Sequence, residues 1–146
     1  MSTYIVDIDG TIANGEHRVH LAKEKKWDEY FDLCHLDTPI WQMQALLADL
    51  GTNDHNEIVY FSGRAERIRG KTVMWMHEHN FPKGPLYMRS DGDHRPDHIV
   101  KKEMYLKYLE DAANEQPVLV FDDRDQVVKM WRELGLVCAQ VAYGDF

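Results

Sequence analysis

The sequence predicts an α/β protein, built on a mainly parallel β-sheet with helices on both faces. Three observations predict it. Short apolar runs alternate along the chain with longer segments of helical apolar spacing. Strands separated by helices require right-handed crossovers, which makes neighbouring strands parallel. Polar clusters follow three of the apolar runs, at 7–11, 62–64 and 122–123. These are the carboxyl ends of the predicted strands, where open α/β sheets bind ligands.

Each element has its own signal. Residues 4–8 read as a buried strand. Asp37-Thr38-Pro39 reads as a helix start, with a capping side chain and proline in the first turn. Ile40, Met43, Leu47 and Leu50 follow at helical spacing, and Gly51 suits the stop. A strand at 57–61 ends in Ser62-Gly63-Arg64. The helix at 66–79 is stopped by Asn80 and Pro82, and 86–88 forms a short strand. Residues 97–113 read as a helix with Ile99, Leu106, Leu109 and Ala113 inward. An apolar strand at 118–121 ends in Asp122-Asp123. A helix at 125–134 carries Val127, Val128, Trp131 and Leu134, with Gly135 at its end. Residues 136–142 close the sheet.

Composition limits the function classes. The 146 residues suffice for one domain with one core, and 44% are hydrophobic. No run approaches the roughly 18 apolar residues of a membrane span, and no signal peptide is visible. Cys34 and Cys138 lack zinc-type spacing and read as two buried thiols in a cytoplasmic protein. The formal charge of −8 argues against a sequence-independent duplex binder, though not against an enzyme that handles a nucleic-acid end.

The residues at the strand ends suit phosphoryl chemistry. In an extended chain, residues i and i+2 point the same way, so Asp7 and Asp9 are expected to address one volume. Carboxylates held that close repel unless a cation sits among them, and Asp122 and Asp123 add two more. Hard oxygen ligands of this kind suit Mg²⁺. A carboxylate can attack phosphorus to form an aspartyl-phosphate, and cations stabilise the transferring group. Gly10 permits a sharp turn, Thr11 and Ser62 offer hydroxyls, and Lys101 offers a fixed positive charge. Asp97, four residues earlier on the same helix face, is expected to orient Lys101.

Singly, each cluster has a plainer reading: a solvated turn for Asp7 and Asp9, a post-strand loop for Ser62-Gly63-Arg64, a helix-capping pair for Asp122-Asp123, a surface arginine for Arg18. Together and in order, they resemble the four motifs of the haloacid dehalogenase (HAD) superfamily: Asp7–Thr11 (DIDGT), Ser62–Arg64, Lys101 and Asp122-Asp123. The stretches DGDHRPDHIVKKEMY, FDDRDQVVKMWRELGL and QVAYGDF, with HRVHL and KKWDEYFDLCHLDTPI, are similar to the 3′-phosphatase domain of phage polynucleotide kinase-phosphatase and to stand-alone versions of it.

The resemblance implies an HAD-like Rossmannoid three-layer sandwich with a minimal cap. It implies Asp7 as nucleophile and metal ligand. Asp9 would be general acid and base, with its carbonyl on Mg²⁺. Ser62 and Lys101 would hold the phosphate, and Asp122 and Asp123 would complete the metal site. Arg64 and, on a looser match, Arg18 would serve activity; with Gly10, Thr11, Gly63 and Asp97 they make up the expected substrate-binding set.

Two decoys are set aside. AERIRGKT at 65–72 fits a relaxed phosphate-loop pattern, but bulky charged residues stand where backbone should wrap phosphate. Ala65, Ile68, Thr72 and Trp75 instead form one helical stripe, so a kinase activity in this chain is not expected. The eight histidines show no zinc spacing. The aromatic run Trp27, Tyr30 and Phe31 reads first as a helix packing face and second as a base-stacking platform.

Lengths bear on the substrate. Only about residues 12–37 remain for a lid, within a single domain spanning 1–146. A thin lid favours a bulky phosphate such as a DNA or RNA 3′ end over an enclosed metabolite. The sequence leaves open a separate kinase or ligase partner beside it. The alternatives are a phosphatase of mononucleotides or other small esters, and a binding module that has lost turnover. The intact acid set argues against the latter.

Overall fold

The computed structural model describes residues 1–112 and 116–146. Five strands form one sheet in the order β5-β4-β1-β6-β7: β1 Ser2–Val6, β4 Asn56–Ala65, β5 Leu86–Arg89, β6 Leu119–Asp122 and β7 Cys138–Gln140. Every pairing in it is parallel, as the alternation of elements predicts. β1 lies at the centre, with Ile5 opposite Val59 on one side and Val120 on the other.

The period of two along the strands builds two cores. Ile5, Val59, Phe61 and Val120 face helices α5 (Asp97–Ala112) and α6 (Asp125–Glu133), packing on Met104, Tyr108 and Trp131. Their neighbours Val6, Ile58, Tyr60 and Phe121 face α3 (Trp41–Gly51) and α4 (Arg69–Glu78), packing on Leu47, Trp75 and Met76. The result is three layers. No helix among the described residues is long and apolar enough to cross a membrane.

Ala65, Ile68, Thr72 and Trp75 are all buried, but they are not one helix face: Ala65 closes β4, Ile68 lies in a 3₁₀ turn, and only Thr72 and Trp75 belong to α4. Lys71, the exposed neighbour of Thr72, donates to the carbonyl of Asp32 at 3.0 Å. Cys34 and Cys138 are both buried free thiols.

Three further expectations are corrected. The helix expected from Asp37 begins only at Trp41. Thr38–Pro39 form strand β3, antiparallel to β2 (Ala13–Asn14), so the Asp37 side chain does not cap α3. On α5 the buried positions are Val100, Lys101, Met104, Tyr105 and Tyr108, whereas Ile99 and Leu106 are exposed. Leu109 packs partly against the core, and Ala113 lies outside the described residues. The closing strand is also shorter than 136–142.

Between β2 and β3 the chain makes only short helical segments. These are a 3₁₀ turn at Glu16–Arg18, α1 (Val19–Lys23), α2 (Trp27–Asp32) and a second turn at Cys34–Leu36.

Candidate active site

Asp7 follows the last residue of β1, and Asp122 closes β6 beside it. The Asp7 amide donates to the Phe121 carbonyl at 3.0 Å, so the sheet ladder itself sets the two acids side by side. Asp123 comes next in the chain. One carboxylate oxygen from each of Asp7, Asp122 and Asp123 lies within 4.8 Å of the others, and all three residues are buried. Lys101 reaches in from α5. Its ammonium donates to Asp7 Oδ1 at 2.6 Å and to Asp122 Oδ2 at 3.0 Å. Thr11 Oγ1 donates to Asp7 Oδ2 at 3.0 Å. Asp122 Oδ2 also accepts the Trp131 indole N–H at 3.2 Å, which ties the site to the core.

Burial, then the neighbouring Asp122, pushes the Asp7 carboxyl well above the usual carboxylate range; Lys101 opposes this. Asp123 is raised to about 6 by burial and by Asp122. Three carboxylates against one ammonium leave two negative charges in a buried volume. That donor set fits a divalent hard cation held by a few carboxylates.

Asp9 occupies a different environment, contrary to the expectation that it shares the face of Asp7. β1 ends at Val6, and a turn closes around Ile8. Its carbonyl accepts the amides of Thr11, Ile12 and Ala13 at 3.2, 2.9 and 3.0 Å. The strand alternation therefore stops before Asp9. Its carboxylate turns to Arg18 and Arg64, accepting from Arg18 Nη2 at 2.7 Å and from Arg64 Nη2 and Nε at 2.7 and 3.0 Å. Burial alone would raise its pKa, but the Arg64 and Arg18 guanidiniums overcome that and hold it at about 2.

The two arginines are fixed from behind by Asp37. Arg18 donates to both oxygens of Asp37, at 2.8 and 2.7 Å, and Arg64 donates to Oδ2 at 3.0 Å. Arg18, Arg64 and Asp37 side chains are fully buried, so both guanidiniums are spent on Asp9 and Asp37 rather than presented at the surface. His17 adds a contact to Asp37 at 2.8 Å, and Thr72 Oγ1 accepts from Arg64 at 3.1 Å. Asp37 is the functional candidate that sequence reasoning missed. Its signal, Asp-Thr-Pro, is shared with ordinary helix starts.

Ser62 is buried, and its hydroxyl accepts the Arg64 amide at 3.0 Å. Asp97 does not bond Lys101, as the four-residue spacing suggested. Its carboxylate pairs with Arg89 and, at 2.8 Å, with Arg124. Lys101 has two closer acids to choose from. Gly63 lies under Asp97, where a Cβ would come 2.7 Å from Oδ1.

Gly10 has φ +83°, and a Cβ there would lie 2.1 Å from Asp123 Oδ2. Gly10→Ala is therefore expected to displace Asp123. The variant should keep its fold yet weaken divalent-ion binding about tenfold or more, the loss typical of a disturbed ligand shell. Isothermal titration with Mg²⁺ checks this, and parent-like affinity would refute it.

Comparison with known proteins agrees with this geometry. Residues 1–146 match the family described as the polynucleotide kinase PNKP phosphatase domain. A protein of Autographa californica nuclear polyhedrosis virus, assigned as a bifunctional polynucleotide kinase/RNA ligase, is 29% identical over 138 residues, 89% of this chain and 18% of the viral one. A chain in the Pnkp1/Rnl/Hen1 RNA repair complex superposes with a TM-score of 0.83 at 30% identity, covering 99% of this chain and 43% of that one. The chain thus spans less than half the length of either relative. A haloacid dehalogenase-like hydrolase from Streptococcus pneumoniae shares the fold, with a TM-score of 0.64 at 13% identity over 96% of this chain and 84% of its own. A parallel sheet with acids at its strand ends, matched over its whole length, makes this chain a HAD phosphatase of the polynucleotide kinase PNKP phosphatase-domain family.

Proposed function

We propose that this domain removes 3′-phosphates from DNA or RNA ends through an aspartyl-phosphate on Asp7. The observation that carries the reading is the split between two carboxylates. Asp7 sits among acids and one lysine, whereas Asp9 is held ionised by two arginines. Environments that push two acids apart in proton affinity assign them different chemical roles.

Asp7 Oδ2 or Oδ1 attacks phosphorus, and the 3′-oxygen leaves with the electron pair of the broken P–O bond. Lys101 and the Ser62 hydroxyl balance charge on the phosphoryl oxygens. Asp9 then draws a proton from the water that cleaves the aspartyl-phosphate, a task its ionised state suits. For the first half-reaction Asp9 must carry a proton to the 3′-oxygen. The approach of a phosphate dianion raises its proton affinity, in the direction that loading requires. Mg²⁺ bound by Asp7, Asp122 and Asp123, with the Asp9 carbonyl, would neutralise the acids and the transferring group.

The short helical segments between β2 and β3 are the candidate lid, and a lid this small supports a bulky phosphate-bearing end over an enclosed metabolite. Relatives whose names include kinase and ligase, or that sit in an RNA repair complex, support a kinase or ligase working beside this domain.

The deciding assay compares phosphate release from a 3′-phosphorylated oligonucleotide, its 5′-phosphorylated twin and a 3′-mononucleotide, with and without Mg²⁺. Release is expected from the first only with the metal. Preference for the mononucleotide would instead favour a small-ester phosphatase. Mg²⁺ is also expected to raise the thermal midpoint at pH 8. The rise should shrink below pH 6, where protons compete for Asp123. A midpoint indifferent to Mg²⁺ at both pH values would count against the metal site.

A further inference from the structure

Helix α2 carries Trp27, Tyr30 and Phe31, and none of its residues is buried. The aromatic run is thus only in part the packing face its spacing first suggests: Tyr30 and Phe31 are half-buried and Trp27 is exposed. The rings pack on one another: Trp27 and Tyr30 meet edge to face with centroids 5.8 Å apart, Tyr30 and Phe31 lie at 5.3 Å, and Trp27 and Phe31 at 6.3 Å. Phe31 roots the cluster against the small core of Cys34, Ile68 and Met88, and half-buried Tyr30 lies against the Arg18 guanidinium. Two guanidiniums border the cluster, each already paired with a carboxylate: Arg18 with Asp9 and Asp37, and Arg67 with Asp28 at 2.6 Å. Arg18 lies 4.3 Å from the Tyr30 centroid and Arg67 lies 5.2 Å from that of Phe31.

Arg18 joins this cluster to the reaction centre. The same guanidinium donates to the Tyr30 carbonyl at 3.2 Å and to Asp9 Oδ1 at 2.7 Å. Asp9 serves the leaving oxygen in the reading above. In a nucleic-acid end that oxygen belongs to the terminal nucleoside, so whatever flanks Asp9 flanks that nucleoside. Arg18 covers one face of Tyr30, while Trp27 remains 44% exposed. The ring open to a ligand is the indole. Exposed aromatic rings are how proteins hold single-stranded bases without reading their sequence.

We propose that the Trp27 indole, braced by Tyr30 and Phe31, stacks on the terminal base of the nucleic-acid 3′ end. This rests on the 3′-phosphatase reading and adds to it the side of the site on which the nucleoside lies.

The test uses two 3′-phosphorylated oligonucleotides, identical except that the terminal nucleotide of one is abasic. The parent protein is expected to show a KM about tenfold lower for the base-bearing end. In Trp27→Ala the ratio of the two KM values should fall close to one, and in Trp27→Phe it should be largely kept. Because the ratio is read within each variant, a general loss of folded protein cancels. As an independent readout, indole fluorescence of the Asp7→Asn protein should be quenched by the base-bearing end more than by the abasic one, and the difference should vanish in Asp7→Asn/Trp27→Phe. A Trp27→Ala ratio equal to the parent's would overturn the proposal and leave the cluster as a protein-docking surface. A parent that acts on both ends equally overturns it while leaving the phosphatase reading intact. A parent that releases phosphate from neither end refutes the phosphatase reading and the stacking with it.

Discussion

Asp7→Asn is expected to reduce phosphate release by at least about 10³-fold, the scale of losing a nucleophile, while leaving the protein folded. The amide keeps the size of the carboxylate, and Lys101 retains Asp122 as its partner at 3.0 Å. Without metal, stability should hold or rise at pH values where the carboxyls are ionised, because one of three crowded negative charges is removed. The pH dependence follows from the raised carboxyls. A carboxyl whose folded pKa lies above its unfolded value adds stability at low pH, and that contribution is lost as pH rises through the folded value. For Asp123 that window runs from its ordinary value of 3.8 to about 6. Metal-free parent protein is thus expected to lose thermal midpoint between about pH 4 and 6, and Asp7→Asn should flatten the decline. Phosphate release and thermal scans across pH check both halves. Parent-like turnover in Asp7→Asn would exclude the covalent route through this residue.

Asp37→Ala should cost about 3–5 kcal/mol of stability, because it leaves two buried guanidiniums with one carboxylate between them. At this chain length that corresponds to a thermal midpoint lower by roughly 10 °C. The Asp37 side chain is fully buried and accepts from both arginines, so its loss is not offset by exposure of the guanidiniums to bulk solvent. Turnover should fall too, since Arg18 and Arg64 lose the group that aims them at Asp9. Asp9 adds its own pH signature. Its pKa is lowered to about 2, so it stabilises the fold above its ordinary value of 3.8 and stops doing so as pH falls toward 2. Chemical denaturation of Asp37→Ala, with phosphate release measured in parallel, checks the cost. A denaturation midpoint matching the parent would mean that the arginines are held without Asp37.

How legible each residue was depended on where its partners lay in the chain. Asp7, Asp122 and Asp123 could be grouped in advance because parallel strands bring their carboxyl ends to one edge. The resemblance points to Lys101, but the helix face that the apolar spacing predicts is not the buried one. The buried stripe of α5 includes Lys101 itself, 2% exposed, beside Val100, Met104 and Tyr105. Apolar spacing alone, which does not register a buried lysine, points instead to Ile99 and Leu106. Asp97 was assigned to Lys101 from local spacing, whereas its partners Arg89 and Arg124 come from β5 and the loop after β6. Asp37 looked like a cap because the arginines that claim it are far away in sequence.

The sequence by itself determined the parallel sheet, the order of its elements and the acids at its strand ends. Those follow from local periodicity and from the chirality of crossovers, which any stretch of this chain expresses without its distant neighbours. Only the tertiary structure decided which acid meets which cation. Asp7 met a lysine and two acids, and Asp9 met two arginines, although one residue separates them. A turn around Ile8 ends the strand alternation between the two, and charge pairing acts through space among residues up to 94 positions apart.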